Sequence, residues 1–130
     1  MTRRFLLLPL ALTACRRAAE RAAPALPAAV GAWRQTASRD VPPAEATEPL
    51  AKNTVRRAVA ATYEGPGNAQ VTLYELTSPA SALDAVQRWR AQPNTVFFYK
   101  DNLFVVVRWQ GADRKAIGDF VRALEKQLAR

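Results

Sequence analysis

The sequence predicts an α+β domain, with an antiparallel sheet of about five strands and helices packed on one face, in the order β-β-β-α-β-β-α. Three observations predict it. Two β-rich runs, "TVFFYK" and "LFVVVRW", flank Asp101-Asn102, residues that tolerate a left-handed turn. The strand-like "QVTLYEL" (70–76) follows the turn sequence "GPGN" (65–68). Each of these two hairpins leads into a stretch with helical periodicity and a helix-start signal.

Each element has its own justification. "VGAWRQT" (30–36) reads as a first strand anchored by Trp33, and "SRDVPPAEATEPLAKN" (38–53) as a loop with at most a short helix after Pro43. "VRRAVAATYE" (55–64) is ambiguous alone. Its alanines favour helix, while Val55, Val59 and Tyr63 fit strand alternation; the following turn and strand decide for a hairpin. Ser78-Pro79 is a cap followed by proline at the first helical position, and the helix runs through Ala91 with Ala82, Ala85, Val86 and Trp89 on one face. Asp113 caps the last helix, whose buried stripe is Ile117, Phe120, Val121, Leu124 and Leu128. The two ββα units, 56–91 and 95–129, share an element order that would suit a degenerate duplication.

The hairpin at 95–109 fixes its own register. With Asp101-Asn102 at the turn, the pairs are Lys100–Leu103, Tyr99–Phe104, Phe98–Val105, Phe97–Val106, Val96–Val107 and Thr95–Arg108. One face, from Val96 to Trp109, is almost entirely apolar and should meet the helices. The other carries Phe97, Tyr99, Phe104 and Arg108, with Thr95 and Val106. An ordinary antiparallel sheet solvates one face, so these aromatics need a cover or a partner. Either the 38–53 loop or another strand region covers them, or they form an exposed platform for a hydrophobic ligand or partner.

The N-terminus reads as an address label. "RRFLLLPLALTACRR" (3–17) is basic, then apolar, then small up to a cysteine, as in an export signal. Its apolar run is shorter than the roughly 20 residues that cross a bilayer core. Leu12-Thr13-Ala14-Cys15 resembles the lipobox of bacterial lipoproteins. That resemblance implies cleavage between Ala14 and Cys15, with lipid on the Cys15 thiol and acylation of the new amine. One acyl chain binds marginally, but three make attachment effectively permanent, at about 0.8 kcal/mol per buried methylene. Thr2-Arg3-Arg4 resembles part of a twin-arginine signal but lacks its Lys, so the general secretory route is expected. Arg16 after the anchor, where an Asp would retain the protein at the inner membrane, implies the outer membrane facing the periplasm. The expected organisation is therefore a signal peptide (1–14), a lipidated Cys15 with an Ala/Pro/Arg tether (15–29), and one domain (30–130). Pro24 and Pro27 block a continuous helix in the tether, which spans at most about 46 Å.

Composition then excludes much chemistry. The 130-residue chain has no histidine and one cysteine, so the commonest general base and the commonest metal ligand are missing and no internal disulfide can form. No Walker or Rossmann glycine motif occurs, and "GPGN" sits in a hairpin turn rather than between strand and helix. The carboxylates Glu45, Glu48, Glu64, Glu75, Asp84 and Asp101 are scattered without a pairing motif. Ser78 and Ser81 are explained by capping, and Trp89, flanked by Arg88 and Arg90, by the core. Nineteen basic against eleven acidic residues give a net charge of +8. Of the basic residues, Arg16, Arg17 and Arg21 would lie beside an anionic membrane surface. "FFYKDNLFVVV" lacks the Lys/Arg-Gly-aromatic order of RNA-binding sheets, so no nucleic-acid partner is expected. "VTLYELTSPASALDAVQRW" followed by "FFYKDNLFVVVRW" is similar to an uncharacterised family of extracytoplasmic bacterial domains, from which no site transfers.

The expected function is a non-enzymatic, membrane-anchored envelope lipoprotein that binds a protein partner or an envelope polymer. It would carry no catalytic or metal site and no cofactor beyond the lipid on Cys15. The alternative is a small-ligand or lipid-binding domain using the Phe97, Tyr99, Phe104 and Arg108 face.

Overall fold

A computed structural model describes residues 25–46 and 50–128. The chain order is β1 (Ala29–Val30), β2 (Trp33–Val41), two 3-10 turns (Pro43–Glu45 and Lys52–Thr54), β3 (Val55–Glu64) and β4 (Asn68–Leu76). Then come α1 (Pro79–Arg88), β5 (Thr95–Lys100), β6 (Leu103–Gln110) and α2 (Arg114–Leu128). The strands form one antiparallel sheet in the order β1-β2-β3-β4-β6-β5. The α+β class holds. There are six strands rather than about five, because Ala29 and Val30 fold back on Arg34 and Trp33 as a separate two-residue strand.

Turn chemistry sets the register of the β5–β6 hairpin. Asp101 takes a left-handed φ of 54°, and all six expected β5–β6 pairs form, from Lys100–Leu103 to Thr95–Arg108. Asn102 ties that turn to the end of β4: its Nδ2 donates to the Leu76 carbonyl at 2.9 Å, and its own carbonyl accepts from the Leu76 N–H. At the β3–β4 turn a Cβ on Gly67 would lie 2.8 Å from the Gln110 carbonyl oxygen, so close packing explains this glycine.

The helices do not share one face. β4 and β5 run in the same direction on either side of β6, so α1 is a crossover connection and lies over one side of the sheet. Ala82 and Ala85 of α1, with Trp89, bury Tyr74, Leu76, Phe104 and Val106. On the opposite side, Ile117, Phe120 and Leu124 of α2 bury Trp33, Tyr63, Val71, Leu73, Val105 and Val107. The physical reason lies in the 95–110 hairpin. Both of its faces are apolar, and one layer of helix can cover only one of them.

β2 changes sides along its length. Register skips between Gln35 and Ala37, leaving Thr36 as an extra residue. Trp33 therefore faces α2, whereas Val41 faces the α1 side and joins Ala46, Leu50 and Ala58 there. The strand expected to stop near Thr36 continues to Val41 through this bulge. Helix α1 ends at Arg88 rather than Ala91, with the Trp89 N–H bonded to the Ala85 carbonyl.

The segment leading into β1 is tied to the sheet as a strap. Leu26 packs on the α2-side core. The Tyr63 hydroxyl donates to the Pro27 carbonyl at 2.6 Å, Gln35 Nε2 donates to the same carbonyl at 3.2 Å, and Gln127 Nε2 donates to that of Ala29 at 3.1 Å. Residues 26–29, expected in the tether, thus carry packing and hydrogen-bond ties to the sheet and to α2. Burial pushes the Tyr63 phenol above its usual range, partly opposed by the hydrogen bond from Gln35. The neutral hydroxyl thus serves as a fixed donor to the strap.

Candidate functional site

Cross-strand register sorts the α1 side of the sheet into parallel rows. The first, from β2 to β5, is Val41–Ala58–Tyr74–Phe104–Tyr99. The second is Arg39–Ala60–Thr72–Val106–Phe97, and the third is Ala37–Thr62–Gln70–Arg108–Thr95. Apolar side chains thus give way to polar ones over about 14 Å of strand, at roughly 3.4 Å per residue. Helix α1 sits on the apolar end.

The four face residues expected from the sequence divide along this gradient. Phe104 is fully buried, its ring 5.0 Å from Trp89 and 5.9 Å from Phe97. Phe97 is half-buried, with its ring 5.8 Å from Trp89. Tyr99 is 43% exposed at the turn end of β5, and Arg108 is exposed at the other end of the hairpin. The cover is α1 with Trp89, and Ala46 and Leu50 of the 38–53 loop join the same buried cluster, which also holds Val41 and Ala58. Phe104 is therefore unavailable as an open platform, and the four residues form no single patch. Cys15 and Ala14 lie outside the described residues.

What remains open on this side is the polar end. Three adjoining hollows lie there. One of about 340 Å3 is lined by Arg39, Thr62 and Thr72. A second of about 100 Å3 is walled by Trp89, Thr72 and Arg108. The third, of about 350 Å3, reaches Asn94 and Thr95. Gln70 borders all three, and no acidic residue lines any of them. Among the described residues, the side chains of Thr62, Gln70, Thr72 and Arg108 make no hydrogen bond to the protein, and no carboxylate pairs with Arg108. Trp89 is 7% exposed, yet its indole N–H has no acceptor there. A shielded donor without a partner is costly, and native chains rarely leave one.

A further hollow, of about 380 Å3, between the β1–β2 turn and α2 contrasts with this arrangement. Its polar groups are already engaged. Asp113 accepts from the Ala116 N–H at 2.8 Å as the helix cap, and Asp119 accepts from Lys115 and Arg122. Those hydrogen bonds hold the Asp119 carboxyl below its usual range. Ser78 likewise accepts from the Ser81 N–H at the start of α1. Arg88 pairs with Asp84, so the two arginines beside Trp89 do not converge on an anion site.

Sequence reasoning missed Thr62, Gln70 and Thr72. Their signal is the alternation in "NAQVTLYEL", where Gln70 and Thr72 face away from Val71 and Leu73. Among the described residues no cluster of three metal-ligating side chains occurs, and no helix is long and apolar enough to cross a membrane. Comparison with family models, curated proteins and solved structures finds no match for this chain.

Proposed function

We propose that the chain is a lipid-anchored protein of the bacterial envelope whose domain is a non-enzymatic binding module. The observation that carries this reading is Leu12-Thr13-Ala14-Cys15 at the end of a basic-then-apolar segment. Cleavage before Cys15 leaves residues 16–25, about 33 Å if fully extended, between the lipid and Leu26. Arg16 beside the anchor favours the outer membrane, with the domain in the periplasm. The open polar end of the α1 side, with its unpaired donors, supports a partner or envelope polymer over a hydrophobic small ligand, because Phe104 is already packed.

Replacing Cys15 with Ser tests the anchor. The native chain should incorporate labelled palmitate and sediment with membranes, and Cys15→Ser should lose both. Labelling that persists in the Ser chain, or a native chain that takes up none, would refute the anchor.

A further inference from the structure

We infer that the open row Thr62–Gln70–Arg108–Thr95, with Thr72 and Trp89 beside it, is a binding site for an extended acidic glycan lying across the strands. This rests on the reading of the domain as a binding module, and it names the ligand class.

Three features argue for it. The first is spacing. The four residues lie in register on β3, β4, β6 and β5, so side chains recur at about 4.8 Å, close to the length of one sugar ring. A linear glycan laid along the row meets one protein side chain per residue. The second is chemistry. The Thr62 and Thr72 hydroxyls and the Gln70 amide can each donate and accept, which suits sugar hydroxyls. The Thr95 hydroxyl, which donates to the Pro93 carbonyl at 3.0 Å, is left to accept, while the Arg108 fork donates only. A carboxylate or a phosphate or sulfate ester is the group that fork binds best. The acid-free lining of all three hollows extends the preference for an anion along the row. The third is the stranded indole N–H of Trp89, which walls the central hollow and lacks an acceptor. A ligand oxygen seated between Thr72 and Arg108, with a small rotation of the indole, would supply one.

A nucleic-acid strand fits less well. Single-strand binding sites use open aromatic rings on which bases stack, and none of the four row residues is aromatic. Tyr74 and Trp89, which wall the central hollow, are buried.

The test uses the full chain purified in detergent at physiological salt, with polygalacturonate as the probe. Neutral dextran and a single-stranded oligonucleotide of matched charge are the comparisons. Binding is read by sedimentation and by tryptophan emission. Polygalacturonate should bind and shift the emission, and Trp89→Phe should abolish most of the shift while keeping the fold. Arg108→Gln should weaken binding about tenfold or more, as expected for losing a charge-assisted contact, and Arg108→Lys should recover part of it. Arg122→Gln, on α2 across the sheet, should bind like the native chain. Absence of binding, equal losses in the Arg108 and Arg122 variants, or tighter binding of the oligonucleotide would each overturn the inference. A chain that takes up palmitate on Cys15 but ignores polygalacturonate would overturn the glycan site and leave the anchor standing.

Discussion

The two sides of the sheet are built from the same strands and finished differently. On the α2 side, Trp33, Tyr63, Val71, Leu73, Val105 and Val107 form a continuous apolar floor under α2. Phe120 is the keystone, with its ring 5.0 Å from Trp33 and edge-on to Tyr63 at 5.3 Å. The α1 side is apolar under the helix and where Ala46 and Leu50 pack on Val41 and Ala58, and beyond Trp89 it carries Thr72, Gln70 and Arg108. A ten-residue helix covers part of a face, whereas the fifteen-residue α2 reaches as far as β1. Both sides therefore hold a buried core, and the α1 side in addition leaves a polar end uncovered.

Truncating aromatics should break this comparison most strongly. Phe120→Ala and Phe104→Ala should each cost about 3–5 kcal/mol in denaturant unfolding, because both rings sit in filled cores. A loss below about 1 kcal/mol for Phe104 would mean that α1 does not close over it and that the aromatic face is open after all.

Removing the N-terminal strap should have an intermediate effect. A chain beginning at Val30 should be less stable than one beginning at Ala25 by about 2–4 kcal/mol, since Leu26 loses its packing and the Tyr63 hydroxyl its acceptor. Equal melting curves for the two would return residues 26–29 to the tether.

The smallest effect sharpens the contrast. Thr72→Val should change stability by about 0.5 kcal/mol or less, because its hydroxyl has no internal partner to lose and valine suits a strand. A clear destabilisation would show that the polar end of the α1 side is structural rather than available.

The parts legible in the sequence were those governed by short-range rules. Asp101-Asn102 set the turn, so the six β5–β6 pairs follow from counting outward. The Ser78 and Asp113 caps and the α2 stripe are likewise local. The sides taken by the helices were not legible, because a β-rich run apolar on both faces does not say which helix covers which. Nor was the strap. Its ties run to the carbonyls of Pro27 and Ala29, and a backbone oxygen carries no residue-type signal. At the candidate site Arg108 was named from its place in the hairpin, whereas Gln70 and Thr72 gained meaning only when β4 was seen between β3 and β6.

The bond from Gln127 to the Ala29 carbonyl brings the first strand of the domain against its last helix, 98 residues away along the chain. Topologically the domain is almost a closed loop, and the native order of its elements is one of several that its contacts permit. A short linker across this junction, with new ends opened at Asp101-Asn102, would keep the strand order and both helix layers. It would exchange the local β5–β6 turn for a long-range pairing. The architecture thus belongs to the set of contacts rather than to the direction in which they are threaded.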